Sequence, residues 1–101
     1  MERRLQLHRI LLEILGSENV YFQPPESTRM KYPCIVYQRN AADTKFADDK
    51  PYLKMKRYTV TVIDKDPDSK IPDKIAALPL CTFNRHYTVD NLNHDIYNLY
   101  Y

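Results

Sequence analysis

Glycine is almost absent from this chain: Gly16 is the only one in 101 residues. Phosphate-cradling loops need backbone positions without a Cβ, so the scarcity argues against nucleotide-phosphate chemistry of that kind. Long apolar runs are missing too. None approaches the roughly 20 residues that a transmembrane helix needs. The amino terminus carries Arg3 and Arg4 and no apolar signal-peptide core, so the chain is expected in the cytosol of the cell that makes it. Cysteine is scarce, with Cys34 and Cys81 alone. In a reducing compartment they read as small apolar side chains, and a disulfide would need their two strands to pair. Charge of one sign is not in excess: 15 basic against 13 acidic residues give +2, which by itself implies no polyanionic partner. The three serines, Ser17, Ser27 and Ser69, all fall in turn or loop contexts. No nucleophile, base and orienter stand together in the sequence, and it reads as a non-enzyme with no cofactor.

What is present suits one folded domain spanning 1–101. The chain is 44% hydrophobic and 28% charged, enough for a modest core and a solvated surface. From Leu7, Ile10, Leu11, Ile14 and Leu15 follow the i, i+3, i+4 pattern of an amphipathic helix over 2–15, with Arg4, His8, Arg9 and Glu13 off that stripe. Gly16 follows where a left-handed helix cap favours glycine. A short strand is expected over 20–23, ended by Pro24 and Pro25, and a central strand over 34–38. Residues 40–51 read as a polar hairpin arm or mobile loop. The longest strand is expected over 52–64, with its charged first half projecting beyond the core. Aspartates dominate the turn at 65–69, and Ile71, Ile75 and Leu78 space out a short helix over 70–78 with Pro72 in its first turn. Two strands, 81–89 and 92–100, flank Asp90 and Asn91, which tolerate the positive φ of a tight hairpin. The order is α-β-β-β-α-β-β. It predicts an α+β fold, a mostly antiparallel sheet of about five strands with two helices packed on one face.

Three sets of residues invite a chemical reading. His86 and His94 are placed to face each other across the last hairpin, and Asp90 or Asp95 would make a partial metal set. A stable site needs further converging ligands, so cross-strand polar pairing explains them better and no metal is expected. Asp64, Asp66 and Asp68 alternate as in a calcium loop, but Ser69 stands where glycine belongs and Ile75 where glutamate belongs. Turn formation and helix capping account for these aspartates. Nine tyrosines, with Lys54, Lys56, Arg57 and Tyr58 together, could stack on bases. The balanced charge favours protein interfaces instead, where tyrosine supplies apolar area and one polar handle.

Several separated strings, in order, resemble a known family. They are Ile14-Leu15-Gly16-Ser17, then Asn19-Val20-Tyr21-Phe22-Gln23-Pro24-Pro25-Glu26, then Met30-Lys31-Tyr32-Pro33-Cys34-Ile35-Val36-Tyr37. Tyr58-Thr59-Val60-Thr61-Val62-Ile63-Asp64-Lys65-Asp66-Pro67-Asp68-Ser69 follows, and Arg85-His86-Tyr87 with Asp90-Asn91-Leu92-Asn93-His94-Asp95 closes the series. Together they are similar to the small tail-completion, or tail-terminator, proteins of long-tailed bacteriophages and prophages. The resemblance covers essentially the whole chain, and its strings are structural, with no site residue to carry over.

That resemblance implies an α+β domain that assembles with itself as a ring, commonly of six subunits, on the head-proximal end of the tail tube. The implied partners are the tail-tube protein and a head connector or neck protein, without a membrane. The implied place is the virion, reached from the host cytoplasm. Nucleic acid would enter only as DNA passing through the ring. A neck adaptor joining head to tail is the alternative, and a nucleic-acid-binding regulatory module of a mobile element is a further one. The arm at 39–57 is expected to make the subunit or tube contacts, through Phe46, Asp48, Asp49, Lys50, Lys54, Lys56 and Arg57.

Overall fold

A computed structural model describes residues 3–40 and 56–101. The first helix, α1, runs Arg3–Leu15. It stops at Gly16, whose φ of 78° is the left-handed conformation expected of that cap, and the Gly16 N–H donates to the Leu12 carbonyl at 2.9 Å. Leu7 and Leu11 are fully buried, one turn apart on the same stripe. Five strands and a second helix follow: β1 Val20–Phe22, β2 Cys34–Arg39, β3 Arg57–Asp64, α2 Ile71–Ala76, β4 Cys81–Val89 and β5 Leu92–Tyr100. This is the α+β order expected from the periodicities. The strands form one sheet ordered β1-β2-β3-β5-β4. β1 runs parallel to β2 and every other neighbouring pair is antiparallel.

Strand alternation divides the sheet into two faces. In register, Ile35 pairs with Val62, Tyr37 with Val60, Val60 with Tyr97, and Tyr58 with Leu99. These residues form the core with Leu7 and Leu11 of α1 and Ile75 of α2, so both helices lie on this face. Tyr37, Tyr58 and Tyr97 are at most 5% exposed. These three tyrosines are therefore core side chains, contrary to an interface role for all nine.

The opposite face buries Cys34, Ile63 and Ile96. The segment 24–33 covers part of it, and Pro24, Pro25 and Met30 border a shallow depression with Val36, Thr61 and Ile63. Tyr21 fixes that cover, because its register partner is Val36 and its Oη accepts the Lys31 N–H at 3.2 Å. The proline segment thus lies against this face of the sheet.

Some details depart from the sequence expectations. α2 is shorter than the 70–78 expected, although Pro72 does occupy its first turn. Asp64 Oδ1 and Asp66 Oδ1 accept the Asp66 and Asp68 N–H groups at 3.0 and 2.9 Å, closing successive turns. The N-cap of α2 is Lys70, with no side-chain cap bond, and Ser69 Oγ just before it accepts the Ile71 N–H at 3.3 Å, so no aspartate caps this helix. Cys34 and Cys81 are free thiols on β2 and β4, with β3 and β5 between those strands. The long strand expected from residue 52 begins, among the described residues, at Arg57.

Candidate assembly surface

β2 and β3 are joined by the segment that carries most of the expected contact residues. Phe46, Asp48, Asp49, Lys50 and Lys54 lie outside the described residues. Backbone and side-chain hydrogen bonds fix both ends of that segment. The Asn40 N–H donates to the Arg57 carbonyl at 2.9 Å, and Asn40 Nδ2 donates to Thr59 Oγ1 at 2.8 Å. On the other side Lys56 and Tyr101 exchange two backbone bonds, Tyr101 N–H to Lys56 O at 2.9 Å and Lys56 N–H to Tyr101 O at 3.3 Å. Lys56 is exposed, whereas Arg57 is half-buried and opens β3 opposite Tyr100. Tyr58 is 2% exposed and packs its ring on Tyr37 at 6.0 Å. It cannot stack on a base, so the patch at 54–58 lacks the aromatic platform expected of it.

The same end of the sheet holds an apolar cavity of about 300 Å³. Arg3, Leu7, Ile10, Leu80, Tyr100 and Tyr101 line it, and the Arg3 guanidinium lies 4.5 Å over the Tyr101 ring. That contact sets a cation against an aromatic face in the cavity lining. Leu80 is 56% exposed at the mouth, in a left-handed conformation.

A polar relay sits beneath α1. His8 Nδ1 lies 2.7 Å from Tyr37 Oη, and Arg4 Nη1 donates to the same oxygen at 3.5 Å. Burial, and then the Arg4 charge, hold the His8 imidazole below its ordinary pKa. Neutral His8 lets the Tyr37 O–H donate to Nδ1 while its oxygen accepts from Arg4. Burial pushes the Tyr37 phenol up, with the Arg4 hydrogen bond opposing. Arg4 also covers the Phe22 ring at 4.5 Å. Arg4 and His8 thus reach the core and are not on a solvated side of the helix, as the helical stripe alone suggests. This cluster joins helix to sheet.

At the other end, His86 pairs in register with Asp95 and Tyr87 with His94. The two histidines therefore occupy opposite faces and do not meet. His86 Nδ1 and Asp95 Oδ1 are 2.8 Å apart, and Tyr87 stacks on His94 at 4.5 Å with 10° between the rings. Among the described residues no group of three His, Cys, Asp or Glu is arranged to hold a metal.

One feature escaped the sequence reading. β4 lies at the outer edge of the sheet, and its residues are exposed along nearly all nine positions. Phe83, Tyr87 and Val89 are 58%, 39% and 50% exposed. The strand's composition gave no signal of this position, since it has neither the proline nor the lysine that commonly blunt an edge.

No helix among the described residues is long and apolar enough to cross a membrane. Comparison with protein-family models, curated proteins and solved structures found no match.

Proposed function

We propose that this chain is the subunit of a ring that caps the head-proximal end of a bacteriophage tail tube and offers a docking surface to the head connector. The observation that carries the reading is the series of family-like strings spread in order along the chain. They fall on the framework: the end of α1, β1, the proline segment and β2 for the first set, β3 and its aspartate turn for the next, and the β4–β5 hairpin for the last. An α+β domain is the architecture the resemblance implies. The chemistry fits a part of an assembly. Exposed Phe83, Tyr87 and Val89 supply the aromatic and aliphatic area that subunit contacts use.

We assign the ring contacts to the arm at 39–57, whose described ends are Asn40 and Lys56. Deleting 42–49 tests this. The expected result is a folded subunit with the thermal transition of the parent that no longer caps tails in a complementation assay. Normal infectious particles from the deletion would remove the arm from the mechanism. The neck adaptor remains the second reading, because a protein joining head to tail needs the same kind of surface.

A further inference from the structure

The open edge of β4 specifies its own occupant. The two-residue turn at Asp90 and Asn91, with φ of 54° and 64°, sets the hydrogen-bonding parity of the hairpin. Val89, Tyr87 and Arg85 are the β4 residues that bond to β5, opposite Leu92, His94 and Ile96. The N–H and C=O groups of His86 and Thr88 therefore point away from the sheet. Between Phe83 and Arg85 the register shifts by one residue, so the regular part of this edge is 85–89. The opposite edge, β1, cannot match it in a head-to-tail contact. It has three residues, the Val20 N–H already donates to the Glu18 carbonyl at 2.8 Å, and two prolines follow.

We propose that the free subunit forms a two-fold dimer by antiparallel pairing of β4 with β4 of a second copy, centred on Tyr87. His86 then exchanges two backbone bonds with Thr88 of the partner subunit, and the reverse pair makes two more. Register supports this centre. Centring on His86 sets Thr88 against the bulged residue Asn84, and centring on Thr88 sets His86 against Asp90 in the turn. With Tyr87 at the axis every outward group of the regular stretch finds a match. Arg85 faces Val89 of the partner subunit, so like charges are not opposed. The two Tyr87 rings meet on one face, each backed by its own His94. Such a contact buries less than the roughly 800 Å² per partner of a standard interface, so the dimer is weak and concentration-dependent. It goes beyond the ring reading and does not depend on it. A two-fold contact is isologous and cannot close a six-membered ring, so it belongs to the subunit off the tail.

Sedimentation equilibrium on the full chain, from about 10 µM to about 1 mM, spans the range a small interface calls for. Hydrogen exchange at both extremes reads the edge directly. The expected result is a monomer–dimer equilibrium, with the His86 and Thr88 amides slowed only at high concentration. Thr88→Pro removes a donor that makes no bond to β5, and by symmetry removes it twice. Dimerisation should weaken about tenfold or more, with far-UV circular dichroism unchanged. Tyr87→Lys opposes two cations at the axis and should do the same. Three results would overturn the proposal. One is a monomer at every concentration with fast-exchanging amides. Another is a monomer with those amides slow throughout, which would give the edge to a segment of the same chain. The third is a dimer indifferent to both folded variants.

Discussion

Tyr37→Phe isolates the relay beneath α1, because it removes one oxygen and keeps the ring. The Tyr37 ring is fully buried and packs on Phe22 at 4.9 Å, Tyr58 at 6.0 Å and His8 at 5.6 Å. All of those contacts survive the substitution. What is lost is the 2.7 Å bond to His8 and the longer 3.5 Å bond from Arg4. A hydrogen bond of this kind contributes about 0.5–1.5 kcal/mol net, and His8 is exposed enough to find water in its place. The expected destabilisation is therefore about 1 kcal/mol, against about 3–5 kcal/mol for truncating a buried aromatic residue to alanine. For a domain of this size it lowers the melting temperature by about 4–8 °C. Calorimetry of the parent, Tyr37→Phe, His8→Ala and the double variant measures it, and the cycle should show a coupling of at least about 0.5 kcal/mol. A Tyr37→Phe variant as stable as the parent, or additive single effects, would refute the relay.

The same geometry sets a pH dependence. Because the His8 pKa is lowered in the fold, the unfolded chain binds the proton more readily, and stability falls as pH drops below the ordinary histidine value near 6.5. Protonated His8 can only donate, so the Tyr37 oxygen would face two cations. Denaturant melts of His8→Gln should show a shallower loss of stability from about pH 6.5 downward than the parent. Leu7→Ala should cost about 2–5 kcal/mol, read as a fall in the urea midpoint with an unchanged slope. The Cys34 thiol is pushed up to about 11 by burial and then by the Asp64 charge. A thiol reagent at about pH 8 should consequently label folded Cys34 far more slowly than unfolded chain, and equal rates would place it outside the core.

Much of the framework was legible in the sequence, and for identifiable reasons. The β4–β5 boundaries follow from Asp90 and Asn91, which supply the positive φ that a two-residue turn demands. Alternation of Tyr58, Val60 and Val62 against Thr59, Thr61 and Ile63 assigned the faces of β3. Other features needed tertiary information. Whether a tyrosine lies in the core or on the surface depends on which strand is central, and the pairing of β3 with β5 is not a local property. The pairing of His86 with Asp95 shows the same limit, since one residue of register moves a side chain to the other face. Arg4 and His8 fell off the apolar stripe because periodicity ranks residues by type, whereas Tyr37 offers them a phenol oxygen to bond. The edge position of β4 was hidden because strand order cannot be read from strand composition.

The proposed role at the tail end is tested most directly by disrupting this gene in the genome that carries it and examining induced lysates by electron microscopy. A capping ring predicts overlong tail tubes with no heads attached, restored to normal length when the gene is supplied in trans. Full heads beside separate tails of normal length would contradict capping and assign the protein to the neck, and normal infectious particles would contradict both.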